Sequence, residues 1–256
     1  DGNRFFMPST NTSSLRIMGT VDVTVEILDD WTFLGNSSFI FGNITDNVFN
    51  TPVLNNETVL IVQIINPDGS IFDGATGNLN NTTGSYNLSI SAPTIFASGV
   101  YDVQVMPDFT SLAPAGGAYY QWVDSAVPPS PPQIPSTTWG IESEVQLTLG
   151  DATSTDVIAV MNSTVDLDVR VTDIADNSNI SGKVVEYIFD YGGQNLSIAN
   201  QTTDANGNAS LQWLVTGVDP GQYILRMVVA DDLSAAKTQG ATRHYGNYTE
   251  LNITIQ

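Results

Sequence analysis

Short runs of apolar residues, alternating or continuous and bounded by Asn, Asp, Gly and Pro, recur along the whole chain. Alternation with a period of two is the pattern of a β-strand with one buried face. No segment combines a 3.6-residue period with helix caps. The pattern therefore predicts an all-β protein, with strands at 21–27, 58–65, 85–90, 100–105, 144–149, 165–171, 184–189, 209–215, 223–229 and 250–255.

The two halves of the chain repeat one plan. Each half has a Gly two residues before a Tyr that opens a strand, at Gly99-Val-Tyr101 and at Gly221-Gln-Tyr223. A Tyr at such a corner buries its ring and directs its hydroxyl to backbone a few residues upstream. Because short strands at this spacing are typical of immunoglobulin-like sandwiches, we predict two Ig-like β-sandwiches in tandem, with an edge-closed barrel as the alternative.

A Pro-rich segment lies between the halves. Its densest part, 127–135, reads VPPSPPQIP, a composition that favours a semi-rigid polyproline spacer. The predicted divisions are an N-terminal extension at 1–14 that offers a strand to a neighbouring subunit, a sandwich at 15–109, the spacer at 110–142 and a second sandwich at 143–256. The aromatic residues beside the proline run are predicted interface residues, packing on a partner or on the chain's own sandwiches: Tyr119, Tyr120, Trp122 and Trp139.

Fourteen N-x-S/T sequons are the main functional signal. With 22 Asn and 49 Ser plus Thr in 256 residues, random placement gives about 4 sequons. The excess predicts N-glycosylation on a water-facing surface, and chance matches in an Asn/Thr-rich β protein are the alternative. The predicted acceptors are Asn11, Asn36, Asn43, Asn56, Asn80, Asn81, Asn87, Asn162, Asn179, Asn195, Asn200, Asn208, Asn247 and Asn252. Residues 88–161 contain no Asn, and we predict the inter-domain or subunit contact in this bare belt.

Charge narrows the range of partners. The net charge is −20 although only 13% of residues are charged, and no Lys or Arg occurs from Ile17 to Val169. Such a surface repels nucleic acid and anionic lipid and gathers cations, so neither nucleic acid nor membrane insertion is expected. A halophile's acidic surface is the competing explanation.

The absence of cysteine excludes disulfides, thiolate metal sites and Cys nucleophiles. Dense sequons without disulfides favour a prokaryotic, and more narrowly an archaeal, cell surface. No apolar run reaches the ~20 residues of a membrane-spanning helix. The chain opens at Asp1 without a signal peptide, which fits a processed chain or a piece of a longer one.

The second half carries the segments Val169-Arg-Val-Thr-Asp173, Ile180-Ser-Gly-Lys-Val-Val185, Thr202-Thr-Asp-Ala-Asn-Gly-Asn-Ala-Ser210 and Gly217 through Tyr223. Over about 165–230 it resembles the bacterial Ig-like (invasin/intimin-type) and carboxypeptidase-regulatory-like domains of surface proteins. With its sequons and acidity, the whole chain resembles segments of archaeal S-layer and surface-filament proteins. That resemblance implies a structural role. Asn179-Ile180 stands where those families often have Pro, so the turn there is expected to differ.

Catalytic signatures are weak. His244, the single histidine, lies in a polar segment before the last strand and is expected to be solvated. No G-x-S-x-G or phosphate-binding motif occurs. Of the closely spaced carboxylates, Glu142 and Glu144 alone share a strand face, which is poor support for a glycosidase. We expect no enzyme activity.

Two loops are candidates for calcium, which prefers several carboxylate and amide oxygens. One holds Asp173, Asp176, Asn177 and Asn179, and the other Asp204, Asn206 and Asn208. The second begins like an EF-hand loop but has Val215 where the acidic twelfth residue belongs. A turn that needs Gly207 at positive φ explains it equally well.

Together these features predict an extracellular, N-glycosylated structural protein that self-assembles into an archaeal S-layer or filament. An adhesin that binds a glycan or protein is the alternative hypothesis.

Overall fold

The computed structural model describes residues 18–46, 49–53, 59–80, 82–108, 119–121, 135–150 and 156–256. These residues form strands, turns and irregular segments, and none of their segments is a helix that could cross a membrane. The strands are β1 Met18–Val23, β2 Glu26–Ile27, β3 Trp31–Phe33, β4 Ser37–Asp46, β5 Val59–Ile65, β6 Ile71–Asn78, β7 Ser85–Ser91, β8 Gly99–Asp108, β9 Tyr119–Gln121, β10 Ser136–Leu149, β11 Asp156–Ala159, β12 Thr164–Asp173, β13 Val184–Tyr191, β14 Gln194–Thr202, β15 Asn208–Leu214, β16 Gly221–Val229, β17 Arg243–Tyr245 and β18 Asn247–Ile255.

The strands build two Ig-like β-sandwiches in tandem, so the predicted fold class is confirmed. In the first sandwich, a sheet of β2, β4, β1 and β9, with β7 beside β4, faces a sheet ordered β6-β5-β8-β10. In the second, β10-β12-β15 faces β11-β18-β16-β13-β14. Each sandwich has its own apolar core, because alternate residues of both facing sheets point inward.

Strand β10 belongs to both sandwiches. Its residues Ser136–Ile141 pair antiparallel with β8, and its residues Val145–Leu149 pair antiparallel with β12. The chain therefore passes from one sandwich to the other inside a hydrogen-bonded strand. The Pro-rich run precedes β10 and, apart from Pro135, lies outside the described residues; the division predicted at 142/143 falls within the strand.

Nine of the ten predicted strands are present, several with longer bounds, and the strand predicted at 21–27 is interrupted at 24–25 and divided between β1 and β2. Seven strands were missed: β3, β4, β6, β9, β11, β14 and β17. The edge strand β14 is polar and largely exposed along its length, and β6 contains Gly74 and Gly77. Neither gives the apolar alternation on which the prediction depends.

The two predicted tyrosine corners are confirmed. The Tyr101 hydroxyl donates a hydrogen bond to the Ala97 carbonyl at 2.7 Å, and the Tyr223 hydroxyl donates to the Asp219 carbonyl at 2.8 Å. Each bond spans four residues and fixes the entry into β8 or β16. Tyr101 is buried, and burial raises the pKa of its hydroxyl.

Tyr101→Phe is expected to lower the free energy of unfolding by about 1 kcal/mol, because it leaves the Ala97 carbonyl without this donor while keeping the buried ring. Urea unfolding of the intact chain measures the loss. Tyr248→Phe, at an exposed tyrosine, is the matched control and should be neutral. Equal stability of the two variants would contradict the structural role of the corner.

Candidate functional site

The residues around the middle of β10 form a junction between the sandwiches, which we call the joint. Strand β3 of the first sandwich pairs with Gly140–Glu142 of β10, and β17 of the second pairs with Glu142–Glu144. Both pairings are parallel. The joint comprises these segments together with Ser98 before β8 and Asp173 at the end of β12.

Asp173 is the centre of the joint. Its Oδ2 accepts hydrogen bonds from the Ser98 backbone N–H at 2.9 Å and from the Ser143 hydroxyl at 2.6 Å. Its Oδ1 accepts from the Ala175 N–H at 2.8 Å, and His244 Nε2 lies 3.3 Å from Oδ2. Because Ser98 belongs to the first sandwich and Asp173 to the second, this carboxylate ties the two together.

The side chain of Asp173 is 2% exposed. Burial raises its pKa, but the hydrogen bonds from His244, Ser143, Ser98 and Ala175 outweigh burial, and the pKa lies below the usual aspartate range. Asp173 is therefore ionised at neutral pH, as a buried charge that is hydrogen-bonded on both oxygens.

His244 is buried, so the expectation of a solvated histidine is wrong. Its segment forms β17, and the backbone N–H and C=O of His244 both bond to Asp232. Its Nδ1 is buried without a hydrogen-bond partner. Asp173 lies between His244 and Ser143, and the serine donates to the aspartate instead of the histidine. This order and the burial of all three side chains differ from a catalytic triad.

A second set of contacts surrounds Arg243. Its Nη1 lies 3.3 Å from Glu142 Oε1, and its guanidinium lies 4.5 Å from the centroid of the Trp31 ring. The Ser98 hydroxyl donates a hydrogen bond to the Arg243 backbone carbonyl at 2.6 Å and accepts one from the Arg243 backbone N–H at 2.8 Å. Tyr245 donates to Glu142 Oε2 at 3.2 Å, and the charge of Glu142 raises the pKa of Tyr245.

The segment 230–246, between β16 and β18, reaches across the joint. Lys237 Nζ lies 2.6 Å from Asp30 Oδ1 of the first sandwich. Lys183 pairs with Asp232 and so fastens the start of this segment to the second sandwich. The chain has seven Lys and Arg residues. Arg243 belongs to the joint, and Lys237 and Lys183 bind the segment 230–246 to the first and the second sandwich, respectively.

The loops predicted to bind calcium use their carboxylates within the protein. Asp173 belongs to the joint, the Asp176 carboxylate accepts from Ser178 N–H, and the Asp204 carboxylate accepts from Asn206 and Asn208 N–H. Gly207 has φ +76°, so the predicted turn is confirmed.

A cavity of about 400 Å³ brings Asn179, Asn206 and Asn208 together, but Arg170 also lines it and donates to Asn179 Oδ1. Within the described ranges, no three His, Asp or Glu residues are arranged to hold a metal ion. Calcium binding by Asp173, Asp176, Asn177, Asp204 and Asn206 stays a prediction.

Trp139, one of the predicted interface residues, is completely buried in the first core and donates its Nε1–H to Thr32 Oγ1 at 2.9 Å. Its ring is not available to a partner. Tyr119 and Tyr120 belong to β9, which pairs with β1. Trp122 lies outside the described residues.

The structure describes the side chains of eleven of the fourteen sequon asparagines; Asn11, Asn56 and Asn81 lie outside that part of the chain. Ten of the eleven are exposed and are distributed over both sandwiches. Asn247 alone among them is half-buried. Ser98 and Glu142 of the joint lie in the asparagine-free belt, whereas the joint residues of β12 and β17 lie outside it.

No protein-family model matches the chain, and no curated protein sequence matches it significantly. Solved structures to which the chain is similar include a tandem pair of titin Ig domains, with 12% identity, TM-score 0.37, and coverage of 92% of this chain and 96% of that one. A three-domain fragment from the I-band of titin has 10% identity, TM-score 0.44 and coverage of 92% and 65%. Three N-terminal domains of the bacteriophage RB49 Highly Immunogenic Outer Capsid protein have 11% identity, TM-score 0.40 and coverage of 92% and 70%.

Proposed function

We propose that the chain is a stiff, two-domain structural module of an extracellular surface assembly, N-glycosylated on its exposed asparagines and able to associate with further copies of itself. The observation that carries the proposal is the joint. Strand β10 is shared by both sandwiches. Where it passes from one to the other, the buried Asp173 carboxylate and its hydrogen bonds connect the two sandwiches. A module whose ends keep a fixed distance and angle suits a repeating layer or filament.

The distribution of sequons supports the surface role. Ten described asparagines are exposed, so sugars there would shield the protein without disturbing either core. The acidic surface would concentrate cations between neighbouring molecules. More specifically, we propose that the assembly is an archaeal S-layer. The sequons and the lack of cysteine support this identification.

One sheet face is suited to contact between copies. The strand register places Ile71, Ile65, Asp102 and Thr138 in one row across β6-β5-β8-β10, and Ile61 and Met106 in another. None of these four strands contains a sequon, whereas the other three outer sheet faces carry at least Asn43, Asn208 and Asn252, respectively. Sugars would exclude a second copy from those faces and leave this one open.

The test is electron microscopy of the native material, combined with glycan occupancy by mass spectrometry. The proposal predicts a lattice or fibre and occupied sequons; dispersed monomers under all divalent-cation conditions would contradict it.

Ile71→Lys is expected to raise the concentration needed for assembly at least about tenfold, because it places an unpaired charge in the proposed contact. Light scattering against protein concentration measures the change. Ile158→Lys is the control, because Ile158 is similarly exposed but lies on β11 in a sequon-bearing sheet. An equal effect of both substitutions would rule out this face.

A further inference from the structure

Among the described sequon asparagines, Asn247 is the one that is half-buried, and its side-chain nitrogen makes two hydrogen bonds. Its Nδ2 donates to Glu144 Oε1 at 2.7 Å and to the Val145 carbonyl at 3.2 Å, both on β10. Its Oδ1 accepts from the Tyr248 N–H at 2.8 Å. A carboxamide nitrogen has two hydrogens, so both of them are engaged in the folded protein.

The backbone around Asn247 is also fixed, by strand pairing, a hydrogen bond and close packing. Asn247 pairs with Val229 of β16, and the preceding Gly246 donates to Asp231 Oδ1 at 2.7 Å. A Cβ on Gly246 would lie 2.1 Å from the Val229 carbonyl oxygen. The sequon therefore cannot swing outward without separating the start of β18 from β16.

Asn247 also lies beside the joint. Two residues earlier, Tyr245 of β17 pairs with Glu144 of β10. The Asn247 side chain thus fastens the end of the segment 230–246 to the strand that both sandwiches share. Loss of these hydrogen bonds would weaken the attachment of β17, which carries His244 and Arg243, to β10.

We infer that a glycan on Asn247 and the closed joint exclude each other, so that the state of this sequon determines whether the two sandwiches are held as one body. The inference rests on the proposed N-glycosylation. In that reaction Nδ2 bonds to the anomeric carbon of a lipid-linked sugar phosphate, the carbon–oxygen bond to phosphate breaks, and a proton leaves the nitrogen to a base of the transferase. The product keeps one N–H, so it cannot donate to both Glu144 and Val145, and the sugar occupies the space beside β10.

The order of folding and sugar transfer then decides the outcome. A chain that folds first keeps Asn247 bare and closes the joint. A chain that receives the sugar first folds its sandwiches but leaves β17 unpaired from β10. Asn252 is the matched control, because it is an N-x-T sequon on the same strand and is exposed, and its Nδ2 makes a single hydrogen bond, to Asp156 Oδ1 at 3.1 Å, which the one N–H left after sugar transfer can still donate.

The first measurement is site-resolved glycan occupancy in the secreted full chain, with Asn247 expected at less than about a tenth of the occupancy of Asn252. The second is NMR of uniformly labelled, unglycosylated chain, in which the Asn247 side-chain amide protons are expected to exchange with solvent at least about tenfold more slowly than those of Asn252. Glu144→Ala should raise both the exchange rate and the occupancy at Asn247.

Sugar on Asn247 in molecules whose β17 amides remain protected would overturn the inference, and so would equal exchange of the two side chains. Bare sequons throughout the secreted chain would instead contradict the proposed glycosylation, while the exchange measurement would still test whether Asn247 is closed.

Discussion

Asp173→Ala is expected to lower the free energy of unfolding by about 3–5 kcal/mol, the cost typical of removing one partner from a buried charged network. The substitution leaves the Ser98 N–H and the Ser143 hydroxyl buried without their acceptor and removes the partner of His244. Urea unfolding at neutral pH measures the loss. We expect the loss to be accompanied by independent motion of the two sandwiches.

The pH dependence gives a second readout of the same substitution. The folded-state pKa of Asp173 is lowered, so its charge stabilises the protein above the unfolded value of ~3.9, and this stabilisation is lost as the pH falls through the folded pKa. The stability difference between wild type and Asp173→Ala should therefore be full at about pH 6 and shrink below about pH 4. Asp176→Ala, which removes an exposed turn carboxylate from the same loop, is the control. A constant difference across this range would show that the charge of Asp173 is unimportant.

Gly140→Ala is expected to cost about 3 kcal/mol, at the upper end of the usual range for overpacking. Its Cβ would lie 2.4 Å from the Trp31 ring and 2.8 Å from the Asp30 carbonyl oxygen, where β3 pairs with β10. The ring has little room to move, because Arg243 lies over it. Relieving this clash therefore requires separating β3 from β10 at the joint. Thermal unfolding would measure the loss of stability, and amide exchange of β3 would detect the separation.

Gly99→Ala is the matched control for this substitution. Gly99 lies opposite Ile141 in the β8–β10 ladder, and its added Cβ would meet only the Tyr101 ring, at an ordinary 3.6 Å. The control should cost less than about 1 kcal/mol. If Gly140→Ala lowers the free energy of unfolding no more than Gly99→Ala does, close packing of β3 on β10 does not stabilise the joint.

The sequence predicted the fold well because the central strands are amphipathic and the two tyrosine corners repeat. It predicted the continuity of β10 poorly. Thr138-Trp-Gly-Ile-Glu142 has no simple alternation, because the strand leaves one core and enters another, and Trp139 through Val145 are nearly all buried. The density of proline led to the prediction of a spacer at 110–142, although the last seven residues of that range, 136–142, are in β10.

The joint itself was missed because its partners are far apart in sequence. Ser98 and Asp173 are separated by 75 residues, and Ser98 and Arg243 by 145. One signal was available: in a chain with seven basic residues, Lys237, Arg243 and the single histidine fall within eight positions. Such scarce positive charge in an acidic protein indicates specific carboxylate partners. Asp173, one of the aspartates predicted to bind calcium, accepts hydrogen bonds from protein donors on both carboxylate oxygens, and calcium binding by these loops stays a prediction.

The most direct test of the stiff joint is the measurement of residual dipolar couplings from both sandwiches of the intact chain at neutral pH. A single alignment tensor that fits the amides of 59–108 and of 164–255 together is the expected result, and Asp173→Ala should split it into two of different magnitude. Two unequal tensors in the wild-type protein would contradict the account, because the sandwiches would then move independently despite sharing β10.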